Sequence, residues 1–238
     1  MVSDAVYRFV VGIIDAFLWG GELVGEENLP ESGPAVFIAN HLGPKGPIAC
    51  VSSIPLRLYA WIVADMVDKE KAAAYLEWDF VKRTLKLQPP LSMTIARALS
   101  RITVPMLNSL GVIPAFQGYE DIQGLLKTSV SLLMEGKCLL VCPEDNQQEM
   151  DKTSKMTPFK KGFARLGELF YEAAGERLNF YPVAVHESGK VEIGRPVTYN
   201  PNNLPANERL RIKSLLEANV RKMYLDMSMS EYVVPMPY

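Results

Sequence analysis

Histidine is nearly missing from this chain: its 238 residues hold only two, His41 and His186. Any proton-transfer chemistry near neutral pH therefore has few candidates. Cysteine is scarce as well. Cys50, Cys138 and Cys142 form neither an even disulfide set nor a C-x-x-C metal pair, which points to a reducing interior and to no metal centre. A basic excess is absent too, since 25 Lys and Arg face 27 Asp and Glu. That balance argues against broad nucleic-acid binding. No apolar run reaches the roughly 20 residues of a spanning helix. The first residues lack the basic start and small-residue cleavage site of a secretory signal. Repeats, low-complexity tracts and long linkers are missing. What remains is 48% apolar and 22% charged, the profile of one large globular domain with a full core.

Residues 1–24 read as an amphipathic helix, with Val6, Phe9, Val10, Ile13, Ile14, Phe17 and Leu18 at helical spacing. Asp4, Arg8, Asp15 and Glu22 interrupt it. Two placements stay open, in a membrane interface or against the domain's own core. Residues 25–238 form the main domain. Strand-like runs lie at 36–39, 58–64, 111–116, 137–142, 180–185 and 191–194. Helical patterns lie at 69–86, 92–110, 121–135, 159–174 and 207–225. Pro105 reads as a kink or boundary and Gly136 as a C-cap. Strands alternating with helices predict an α/β fold, a mostly parallel sheet flanked by helices. Ligands in such sheets lie beyond the carboxyl ends of the strands. His41 falls there, at the end of the apolar run Val36-Phe37-Ile38-Ala39, beside the loop Leu42-Gly43-Pro44-Lys45-Gly46-Pro47. A neutral histidine at that point can take a proton from a substrate, or can simply bond a loop carbonyl. His186 reads as a surface residue, and Cys142 as a small buried apolar group rather than a nucleophile.

Several segments line up in order: Asn28-Leu29-Pro30, Asn40-His41, Gly111-Val112-Ile113, Val141-Cys142-Pro143-Glu144, Phe159-Lys160-Lys161-Gly162 and Tyr181-Pro182-Val183. This arrangement resembles the glycerolphosphate acyltransferase superfamily, of the lysophosphatidate acyltransferase type, over residues 25–200. The resemblance implies acyl transfer from acyl-CoA or acyl-carrier protein to an alcohol, usually a lysophospholipid, as in phospholipid biosynthesis. No cofactor beyond that thioester co-substrate is implied. His41 matches the family's general base and Glu144 the glutamate that serves the acceptor site. Gln117 and Asn146 fall in the acceptor-binding motifs. Lys45, Lys160, Lys161 and Arg165 are candidates for the donor's phosphates or another anion. The implied setting is the cytoplasm, free or peripheral on the inner face of a membrane, with a lipid-like acceptor as partner.

The departures are specific. The family's first motif places an aspartate five residues after the histidine; here Gly46 stands there, and no acidic residue occurs between His41 and Asp65. Both family arginines that bind acceptor phosphate are replaced, by Gln117 and Gln147. Glutamine lacks the charge and fork that suit phosphate. Two alternatives follow: a non-catalytic lipid-binding or scaffold protein, or an acyltransferase for an acceptor without phosphate. If the protein is catalytic, Gly46→Asp is expected to preserve or raise activity, provided the loop accepts the side chain.

Overall fold

The computed structural model describes residues 3–18, 21–43, 45–83, 85–115, 119–145 and 147–232. The chain divides into two compact units. The larger comprises residues 11–58 and 129–238, and the smaller comprises residues 1–10 and 59–128.

In the larger unit the strands are β1 (Glu22–Val24), β2 (Ala35–Ala39), β5 (Cys138–Val141), β6 (Asn179–Val185), β7 (Lys190–Ile193) and β8 (Val197–Thr198). Their order is β1-β7-β6-β2-β5, with β8 also on β6. Pairing is parallel except where β7 and β8 join β6. Every residue of β2 is fully buried. An unbroken apolar run is what a central parallel strand needs, because both its faces are covered. The smaller unit pairs β3 (Leu58–Val63) with β4 (Ile113–Ala115), in parallel. The fold is α/β, as the alternation of elements implies. β1 and β8 are the strands that the sequence pattern does not reveal.

The helices are α1 (Asp4–Leu18), α2 (Lys45–Ser53), α3 (Ala72–Leu76), α4 (Leu91–Leu110), α5 (Tyr119–Met134), α6 (Arg165–Ala174) and α7 (Pro205–Tyr232). Three expectations need correction. The segment expected as one helix over 69–86 is α3 followed by a π-turn, Glu77–Val81, closed by Lys82 N–H on the Glu77 carbonyl at 2.9 Å. α4 runs through Pro105 to Leu110 without a boundary there. Arg101 and Pro105 are both exposed, so solvent can take over the helical bond that proline cannot make. The helix expected from Phe159 begins only at Arg165, after a 3₁₀ turn, because the Lys160 amide bonds the Pro143 carbonyl instead. Gly136 does cap α5: its φ is 71°, and Lys137 N–H reaches the Leu132 carbonyl at 3.0 Å.

α1 buries Tyr7 yet exposes Val6, Phe9 and Ile13 on one stripe. Among the described residues no helix is long and apolar enough to cross a membrane.

Asn40 secures the carboxyl end of β2. It is fully buried, and its side-chain amide both donates to the Val185 carbonyl (2.9 Å) and accepts from the Val185 N–H (2.7 Å). The side chain thus stands in for one more peptide of the β2–β6 ladder. Asn40→Ala would strand both Val185 groups in the core, so a loss of about 2–4 kcal/mol is expected by chemical denaturation.

Candidate functional site

The site forms where β2 and β5 end, within the larger unit. Their parallel register pairs Ile38 with Val141. Continued past the strand ends, that offset brings Glu144 opposite His41. The contact is direct, for the His41 amide donates to Glu144 Oε1 at 2.6 Å. Glu144 Oε2 accepts from the Thr157 amide (2.9 Å) and the Thr157 hydroxyl (3.2 Å). Both carboxylate oxygens are therefore engaged by the chain itself. The resemblance implies an acceptor-site role for Glu144; in the structure its carboxylate also clamps the backbone at His41. Three donors from the chain satisfy this half-buried carboxylate.

Residues 157–160 hold that clamp in place. They lie antiparallel to 143–145, with a bridge between Glu144 and Phe159. Asp145 N–H reaches the Pro158 carbonyl at 2.9 Å, and Lys160 N–H the Pro143 carbonyl at 2.8 Å. The Phe159 amide donates to Glu217 on α7 at 3.2 Å, tying the segment to a long helix. Thr157 is the site residue that sequence reading missed. No short spacing links it to Glu144, although a threonine at the edge of an apolar Met156-to-Phe159 stretch is a signal of a buried polar contact.

Position 46 holds a second finding. The sequence between His41 and Pro47 looks like a loop, but α2 begins at Lys45, with Pro47 in its first turn where proline is tolerated. Gly46 N–H bonds the His41 carbonyl at 3.1 Å. A Cβ at Gly46 would sit 2.1 Å from that same oxygen and 2.7 Å from the Asn40 carbonyl oxygen. The glycine is thus required by close approach of two backbone segments, and its φ is not in the left-handed region. The expectation that Gly46→Asp would be accepted is overturned on this geometry.

The candidate cations come from two stretches of the chain, Lys45 and residues 160–165. Lys45 is exposed at the start of α2, and Lys161 is exposed just before the 3₁₀ turn. Arg165, half-buried, opens α6. Among the described contacts none joins Lys161 or Arg165 to His41. Lys160 pairs with Asp145 at 3.2 Å. The Gln147 amide, together with Lys160, holds the Asp145 carboxyl below its usual range despite partial burial. Gln117 and Asn146 lie outside the described residues.

Cys142 follows β5 directly. Burial, with Cys50 and Glu144 adding to it, pushes its thiol well above the ordinary value, so it stays protonated and unreactive. His186 is not a surface residue. It is 5% exposed, with Nδ1 2.8 Å from Ser188 Oγ and Nε2 2.8 Å from Ser228 Oγ. Its ring lies 4.7 Å from that of Tyr224. Both ring nitrogens are committed within the core.

No protein-family model matches the sequence, and no curated protein matches it. Among solved structures, the chain is similar to the 1-acyl-sn-glycerophosphate (LPA) acyltransferase PlsC from Thermotoga maritima, at 15% identity and a TM-score of 0.51. The likeness covers 94% of this chain and 83% of that one. At that identity it speaks for architecture: the chain is built on the fold of a glycerophosphate acyltransferase.

Proposed function

We propose that this protein transfers an acyl group from a thioester donor, acyl-CoA or acyl-carrier protein, to an alcohol, with His41 as general base. One observation carries the reading. The backbone of His41 is pinned by Glu144 at the carboxyl end of adjacent parallel strands, in a fold shared with an acyltransferase. The imidazole takes the proton of the acceptor hydroxyl as its oxygen attacks the thioester carbonyl. Collapse of the tetrahedral intermediate expels the thiolate, which recovers that proton from the imidazolium. Glu144 acts through the backbone, as a positioning residue.

A specific observation favours an acceptor without phosphate. Lys160, the cation next to the clamp, is already neutralised by Asp145, and glutamine replaces the family arginine at Gln147. Asp145 adds a negative charge there that repels a dianionic headgroup.

Thiol release, followed with a panel of acyl donors and with phosphorylated and phosphate-free alcohols, tests both points. Acceptor-dependent release that is faster with the phosphate-free alcohols is the expected result. A folded protein that binds acyl-CoA but releases no thiol with any pair would make it a lipid-binding relative instead.

A further inference from the structure

α4 is a helix of 20 residues without one carboxylate. The stretch from Phe80 to Tyr119 carries Lys82, Arg83, Lys86, Arg97 and Arg101 and no acidic residue, in a chain of net charge -2. At 3.6 residues per turn, Leu91, Ala98, Ile102 and Pro105 fall within about 60° of arc. All four are exposed, Leu91 at 53% and Ile102 at 70%. Arg101 and Arg97, also exposed, follow along one edge of this stripe. On its other edge Ile95 and Leu99 turn in to pack on Leu76, Val81 and Ala96. Lys82 and Arg83 are offset by Glu77 and Asp79. No salt bridge among the described residues occupies Arg97 or Arg101.

We propose that this face of α4 docks on an anionic lipid surface. Leu91 and Ile102 would enter the boundary between headgroups and acyl chains, while Arg97 and Arg101 reach lipid phosphates beside them. The occupant follows from charge: an apolar stripe edged by arginines and free of carboxylates complements a negative surface, and would repel a second copy of itself. The helix is too polar to cross a bilayer, so it would lie in the interface plane. This reading goes beyond acyl transfer and is measured without it.

The test is sedimentation of the full-length protein with vesicles of phosphatidylcholine alone and vesicles that include phosphatidylglycerol. Wild type should bind only the second kind, and less as salt rises. Arg97→Gln with Arg101→Gln should weaken binding about 30-fold, and Leu91→Ser with Ile102→Ser should also release the protein. Arg97→Lys with Arg101→Lys, which keeps the charge, should bind nearly as wild type. Phe9→Ser serves as the comparison, because α1 exposes an apolar stripe of its own. Matched melting curves establish that each variant is folded. The proposal is overturned if wild type ignores anionic vesicles or if both α4 pairs bind as wild type. It is equally overturned if binding is lost with Phe9→Ser alone. Dissociation of an oligomer by Leu91→Ser with Ile102→Ser, with vesicle binding intact, also overturns it.

Discussion

Replacing Gly46 with alanine should cost about 3 kcal/mol or more, because a methyl placed 2.1 Å from the His41 carbonyl oxygen must displace backbone. For a chain of this size that is a fall in melting temperature of roughly 6–12 °C. Gly46→Asp should be at least as damaging and should not raise activity. The neighbours at fault are the His41 and Asn40 carbonyls, neither of which is the far end of a flexible side chain. Asn40 is locked to Val185 and His41 to Glu144, so the strand end cannot easily yield. The carboxylate that the family motif places here therefore has no room in this backbone. A Gly46→Asp variant that melts with wild type and turns over faster would refute the close-approach account. The Gly46 N–H bond to the His41 carbonyl closes the turn between β2 and α2.

Much of this was legible in the chain. Val36 to Ala39 announces a central strand because only burial on both faces tolerates an unbroken apolar run. The ends of β2 and β5 could be placed on one crevice for the same reason, and His41 and Glu144 do meet there. What failed to show was whatever depends on partners distant in sequence. α2 hides behind Pro44-Lys45-Gly46-Pro47, a turn-like composition whose glycine serves close packing and whose second proline fits a first helical turn. His186 looks like a surface residue until Ser228, 42 positions away, completes its hydrogen bonds. Nothing beside Glu144 in the sequence announces that Thr157 holds its second oxygen. Local patterning reports burial; it does not report who satisfies a buried polar group.

Substitutions at His41 and Glu144 should separate chemistry from positioning. His41→Ala should lower acceptor-dependent thiol release about 10²–10⁴-fold, the usual contribution of a positioned base. Glu144→Gln should lower stability as well as rate. Its amide offers one oxygen where Glu144 offers two, so its NH₂ must face either the His41 N–H or the Thr157 N–H. A donor set against a donor in a half-buried place should cost about 2–3 kcal/mol, or roughly 5–10 °C in melting temperature. With the backbone at His41 released, kcat should fall while KM for the thioester stays near wild type. A substrate-binding role for Glu144 would give the opposite split, with KM for the acceptor rising and stability unchanged. His41→Ala retaining wild-type thiol release would remove the imidazole from the chemistry, and the clamp would then serve only to close the sheet.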